Sequence, residues 1–220
     1  LPGTHENGSE AVFSIQYSDN DGTLFGRLNY GDVLSLPQGL GCCDFHKPSQ
    51  NLVNAFKTNA QGLPMFDTYN DEDLDYKQLN NYKVDPRLYH TVAMPGLPWK
   101  YEKDKIYQES WVRSPGTYGY YASLKENVPV GCGCTVNIDP FYGNSKNRII
   151  IRYSDVLLMK AEALIELGRV NEALPLINQV RERAANSTVL TGSYTSNNFI
   201  SKYEPGVNCT WTQDFARKAL

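Results

Sequence analysis

Apolar residues are spaced most regularly between Arg148 and Ala185, in the stretch RIIIRYSDVLLMKAEALIELGRVNEALPLINQVRERAA. Tyr153, Val156, Leu157, Met159, Ala161, Leu164 and Leu167 recur at steps of three and four, which puts most of them on one helical face. Gly168 can take the left-handed conformation that ends a helix at no steric cost. Asn171 can cap a second helix, on which Ala173, Leu174, Ile177, Val180 and Ala184 make the next stripe. Pro175 is placed in its first turn, where a missing backbone donor does no harm. The pattern therefore predicts a helical hairpin over 148–185, of the size that tetratricopeptide-type solenoids repeat. One such pair cannot bury both of its faces, so other elements must cover it.

Elsewhere the pattern is shorter and more broken. Ala11-Val12-Phe13-Ser14-Ile15-Gln16-Tyr17 reads as a strand, closed by the turn-forming Asp19-Asn20-Asp21-Gly22. That turn has the oxygen-rich look of a calcium loop and lacks the later glutamate of an EF-hand, so a plain turn is expected. A short helix is predicted at 49–57, with Ser49 as cap and Leu52, Val53 and Phe56 as its buried face. Residues 58–147 carry most of the Pro and Gly and few periodic runs, which predicts a large loop-rich subdomain holding short strands. Its density of aromatics argues against disorder. Near the end, Thr210 and Gln213 have capping-box spacing, and Trp211, Phe215 and Ala219 begin a last helical stripe.

The wording of the hairpin, RYSDVLLMKAEALIELGR followed by EALPLINQVRERA, closely resembles the C-terminal region of the SusD/RagB family of outer-membrane glycan-binding lipoproteins of Bacteroidetes. AVFSIQYSDNDGT at 11–23, PSQNLVNAFKTNAQGLPMFD at 48–67, DPRLYHT at 85–91 and SKNRIIIRYSDVLLMKAEAL at 145–164 fit in the same order. The match covers nearly the whole chain. It implies a mainly α, SusD-like fold: a tetratricopeptide-type hairpin carrying the irregular subdomain. It also implies a C-terminal region lacking the family's N-terminal helical repeats and its C-terminal end. The resemblance further implies a lipid anchor upstream, a place on the outer surface of the outer membrane, and delivery of oligosaccharide to a SusC-like TonB-dependent transporter.

Composition narrows the remaining classes. A formal net charge of −3 over 220 residues leaves no basic footprint for nucleic acid. No apolar run is long enough to span a membrane as a helix, so attachment is expected only through the implied anchor. Five cysteines, Cys42, Cys43, Cys132, Cys134 and Cys209, are an odd number. The adjacent pair and the Cys-Gly-Cys could cross-link, whereas zinc pairs usually leave two to four residues between ligands. No metal or other cofactor is expected.

Catalytic patterns are not found. His5, His46 and His90 fall in no ligand motif, and no Gly-x-Ser-x-Gly elbow or phosphate loop is present. The acids Asp71, Glu72, Asp73 and Asp75 read as a solvated face, although two carboxylates are all a glycosidase needs. Binding has better candidates. Sugars offer apolar ring faces edged by hydroxyls, so their sites pair a stacking aromatic with hydrogen-bonding groups. Fifteen Tyr supply such rings, and Trp99, Tyr101, Trp111, Arg113, Tyr118 and Tyr120 follow one another through the irregular region. They are the expected ligand-binding residues of a non-catalytic glycan-capture protein. The other reading is a tetratricopeptide-type module that binds protein or peptide.

Overall fold

A computed structural model describes residues 6–24, 26–138, 141–191 and 197–220. His5 lies outside the described residues. The chain forms two compact units, each assembled from two stretches: the part up to Ser49 with His90–Arg152, and Gln50–Tyr89 with Tyr153–Leu220. Residues 58–147 therefore divide between the two units.

The strands belong to the first unit and pair only two by two, always antiparallel. β1 (Ala11–Ile15) pairs with β8 (Arg148–Arg152), and β2 (Val92–Ala93) with β5 (Ala122–Ser123). β3 (Pro98–Trp99) pairs with β4 (Glu102–Ile106), and β6 (Thr135–Ile138) with β7 (Phe141–Asn144). The fold is thus mixed α and β instead of mainly α. Arg148–Arg152, expected to open the helical hairpin, is the clearest departure. Three consecutive isoleucines suit a pleated strand better than a helix, because branching at Cβ crowds the helical turn. Ser14 sits opposite Ile149 and Ile15 opposite Arg148, with the register irregular around Phe13.

The first unit is held by a core of rings. Trp99, Tyr107, Ala93, Val112, Ala122 and Leu124 are buried together, with Leu36, Leu40, Trp111 and Tyr120 packed partly against them. The Trp99 and Tyr107 centroids stand 5.9 Å apart, and Tyr107 meets Trp111 edge-on at 5.8 Å. Beside the start of β8 a buried carboxylate gathers two cations. Asp32 accepts from Arg148 Nη1 at 2.8 Å and faces Lys146 Nζ at 3.3 Å. The same ammonium donates to the carbonyls of Lys125 and Glu126, so its burial is matched by partners.

The helices are α1 (Gln50–Asn54), α2 (Arg87–Thr91), α3 (Pro115–Tyr118), α4 (Tyr153–Glu166), α5 (Val170–Asn186) and α6 (Gln213–Ala219). In the second unit α4 and α5 form the expected hairpin. Gly168 ends α4 at φ +74°, its N–H bonds to the Ile165 carbonyl and the Arg169 N–H to Leu164, satisfying two orphan acceptors. α5 begins at Val170, so Asn171 is already inside the helix and does not cap it. Pro175 consequently falls beyond the first turn and withholds a helical hydrogen bond.

The apolar stripe of α4 is only half used. Ala161, Leu164 and Ile165 are buried with Ala173 and Ile177 of α5, Ala216 of α6, Leu63 and Tyr203, and Leu157 is buried as well. Tyr153, Val156, Met159 and Leu167 are exposed. α6 is capped by Thr212, whose hydroxyl accepts from the Phe215 N–H; Thr210 is not the cap. Trp211 and Phe215 then pack against Tyr203. On α1, Val53 is buried, Phe56 just beyond it half-buried and Leu52 exposed; the polar Asn54 takes the inner position instead.

Candidate ligand-binding surface

The six ring and guanidinium residues expected from sequence all fall in the first unit, and the structure gives them different duties. Trp99 is fully buried and donates its indole N–H to the Val128 carbonyl at 3.2 Å. It is a core ring without an open face, which corrects the expectation for this residue. An indole can be sealed in when its one donor finds a partner.

Tyr101 and the residue before it form the tight turn between β3 and β4. Lys100 and Tyr101 both have positive φ, 44° and 72°, in a turn that usually demands Asn and Gly. Their side chains hold the strained turn in place. The Tyr101 hydroxyl lies 2.7 Å from His90 Nδ1, and Lys100 Nζ donates to the Leu124 carbonyl at 2.7 Å. Burial, followed by the charges of Lys146 and Lys125, pulls the Lys100 ammonium down to about 7. His90 thus serves as a partner for Tyr101.

Trp111 and Tyr120 are half-buried against the ring core. Burial, and after it the nearby Asp44 carboxylate, push up the pKa of the Tyr107 phenol beneath them. Tyr118, last residue of α3, is the open ring of the set, with 59% of its surface exposed. Its short helix is sharply bounded: Ser114 before it is left-handed at φ 45°, and Gly119 after it takes φ 72°, ψ −177°. That final conformation is essentially reserved for glycine, and it turns the chain away directly behind the ring.

Arg113 is tied to the segment around the Cys42–Cys43 pair, whose Asp44 and Phe45 sequence reasoning had not singled out. Its backbone N–H donates to Asp44 Oδ2 at 2.7 Å and its Nη1 to the Cys43 carbonyl at 3.0 Å. Its guanidinium stands 4.9 Å from the ring centroid of Phe45. Phe45 is 48% exposed. Cys42 and Cys43 are joined to each other by a disulfide, as are Cys132 and Cys134, while Cys209 is free. The signal that could have drawn attention to Phe45 was an aromatic two residues after a cysteine pair, following a Gly-rich stretch.

The other sequence candidates resolve as local structure. Asp21 accepts from the Thr23 N–H, the Thr23 hydroxyl and the Ser18 hydroxyl, and these bonds lower its pKa to about 2. It organises a turn. Asp75 accepts from the Lys77 N–H, and Asp73 accepts from Asn54. Among the described residues no group of three or more His, Cys, Asp or Glu is placed to hold a metal ion. Nor is any helix among them long and apolar enough to cross a membrane. The second unit has its own shallow groove of about 390 Å³, lined by residues that include Met65, Phe66, Tyr69, Arg87, Leu158 and Lys218.

Comparison with known proteins matches residues 9–220 to the SusD family. SusD-like protein P38 of Formosa agariphila is 39% identical over 187 residues, covering 82% of this chain. The chain spans only 31% of that relative's length. A SusD-like protein from Bacteroides fragilis superposes with a TM-score of 0.54 at 19% identity, over 97% of this chain and 40% of its own. A SusD superfamily protein from Bacteroides vulgatus gives 0.51 at 20%, over 98% and 37% respectively. At such identities the two solved structures show likeness of fold alone.

Proposed function

The chain belongs to the SusD family, and we propose from this that it is the glycan-binding part of a non-catalytic protein on the outer surface of the outer membrane. The whole protein, held by a lipid anchor, captures oligosaccharide and passes it to a SusC-like TonB-dependent transporter. The tetratricopeptide reading of the α4–α5 hairpin belongs to the same proposal. The observation that carries it is the open Tyr118 ring, standing on an irregular unit whose interior is itself packed with rings. A sugar ring can lay its apolar C–H face on such a phenol, while neighbouring polar groups read the hydroxyls.

Isothermal titration of the whole protein against plant, host and microbial oligosaccharides tests the reading. Tyr118→Ala is expected to weaken binding by about 1–3 kcal/mol and leave folding stability within about 0.5 kcal/mol. Trp99→Ala is expected to act the other way, costing about 3–5 kcal/mol of stability through the cavity it leaves. No reducing ends should be released from the bound sugar. Failure with every glycan, or release of sugar on binding, refutes the proposal.

A second reading, capture of a peptide or protein, is favoured by one feature. Tyr153, Val156 and Met159, with Leu167 just past its end, leave α4 with an apolar strip in solvent. Tight binding of peptides together with indifference to glycans would select it.

A further inference from the structure

We propose that Phe45 is the stacking ring of a second carbohydrate subsite, with Arg113 as its hydrogen-bonding partner and the Cys42–Cys43 disulfide as the clamp that presents it. The inference deepens the glycan-binding reading above and rests on it.

An aromatic half in solvent is ordinary; one held there by strained backbone is not. Asp44 and His46, on either side of Phe45, are both left-handed, at φ 55° and 54°. Neither is glycine; Asp and His tolerate positive φ better than most residues, yet two such positions flanking one ring are uncommon and are fixed by the bonds around them. Such outliers concentrate where a side chain has to be aimed. The forces that impose them can be named. The N–H groups of Cys43 and Asp44 both donate to the Leu36 carbonyl, at 3.0 and 2.8 Å, and the Phe45 N–H donates to Leu34 at 2.8 Å. The Asp44 side chain, only 1% exposed, holds both the Arg113 N–H and Lys47 Nζ on one oxygen. Every backbone N–H from 43 to 45 is thereby used to fix a loop whose central ring is half in solvent.

The disulfide closes the smallest ring that two cysteines can make, so Cys42 and Cys43 have almost no independent backbone freedom. The carbonyl of Cys43 is the acceptor for Arg113 Nη1. The clamp therefore sets the guanidinium over Phe45 as well as the start of the Phe45 loop. One face of the ring lies against that cation, which fixes its tilt. Phe45 keeps 48% of its surface exposed. Arg113 has further N–H groups in its planar fork beyond the one given to Cys43. A pyranose can lay its C–H face on the side of Phe45 that the guanidinium leaves uncovered, and a hydroxyl that overhangs the ring edge can then accept from a remaining N–H of the Arg113 fork.

Native affinity electrophoresis of the whole protein in gels containing amylopectin, xylan, laminarin, pectin or alginate tests the subsite. Four proteins are compared: the unaltered one, Phe45→Ala, Cys42→Ser/Cys43→Ser, and Cys132→Ser/Cys134→Ser. Thermal melting confirms that each is folded. Phe45 is a surface ring, so its variant is expected to melt as the parent does and to lose at least tenfold in affinity for the polysaccharide that retards the parent. Cys42→Ser/Cys43→Ser should lose a comparable factor, and Cys132→Ser/Cys134→Ser less than twofold. A parent that is retarded while Phe45→Ala is retarded equally overturns the subsite and leaves the glycan-binding reading standing. Loss in both cysteine variants alike overturns the clamp. A parent retarded by none of the five and silent in titration against every glycan refutes the glycan-binding reading, and this inference with it; a parent that binds only in titration is compared there with Phe45→Ala, with the same outcomes.

Discussion

The indole of Trp111 stands so close to Gly39 that a Cβ on residue 39 would come within 2.2 Å of its ring atoms. Only the absence of a side chain allows the approach. Gly39→Ala must therefore push Trp111 off its seat against Tyr107, and overpacking of this kind costs about 1–3 kcal/mol. Urea unfolding should show that loss, and the tryptophan emission of the folded protein should shift to the red as the indole meets water. Unchanged stability and emission would mean that the ring is not seated there.

Asn54 uses all four of its hydrogen-bonding positions. Its amide nitrogen donates to Asn70 Oδ1 and Asp73 Oδ1, both at 2.8 Å, and its oxygen accepts from Gln50 at 2.9 Å and from the Leu74 N–H at 2.8 Å. Asn54→Asp keeps the shape and turns both donors into an acceptor facing two other acceptors, one of them charged. A loss of about 3 kcal/mol or more is expected, because a buried group is left facing its own kind. Adding Asp73→Asn should restore part of it, since the new amide can donate back, and the double-mutant cycle measures the coupling. Strict additivity of the two substitutions would contradict the network.

Lys100 gives the protein a distinctive alkaline response. Burial, with Lys146 and Lys125 adding repulsion, brings its ammonium down to about 7 from an ordinary value near 10.5. Between those values the unfolded chain binds a proton that the folded chain has released. Stability from this group therefore rises with pH across the window from about 7 to about 10.5 and is flat below it. Lys100→Met should remove that contribution, so the parent's melting temperature should climb relative to the variant's between pH 7 and pH 10. Parallel profiles would show that Lys100 stays protonated.

The elements legible in the sequence were those whose own chemistry suffices. Gly168 announced the turn between α4 and α5, and the spacing of Leu157, Ala161 and Leu164 announced the buried face of α4. The same spacing also admitted Tyr153, Val156 and Met159, which the fold leaves exposed. Periodicity names a stripe, and only neighbouring elements decide how much of it is covered. The caps failed for a related reason. Thr210 has the capping-box glutamine and Thr212 does not, yet it is Thr212 whose hydroxyl meets the Phe215 N–H at the start of α6.

The candidate binding residues divided along the same line. The sequence pointed to Trp99, Trp111, Tyr118 and Tyr120, and all four lie in the first unit, where Trp99 is core and Tyr118 is open. It could not separate the ring that faces water from the ring that makes the core, because both need the same aromatic surface. Phe45 was passed over because it stands 68 positions from Arg113, and no local pattern joins them.

What the sequence settled by itself was membership and local form: the ordered motifs of the SusD family, the hairpin at Gly168 and the turn at Asp21, each written within a few consecutive residues. Tertiary structure alone decided that Ile149–Ile151 would be a strand, that Trp99 would be sealed in and Tyr118 left out, and that Arg113 would lie over Phe45. Those outcomes depend on burial and on partners distant in the chain, and the energies that fix them arise only when the separated segments come together.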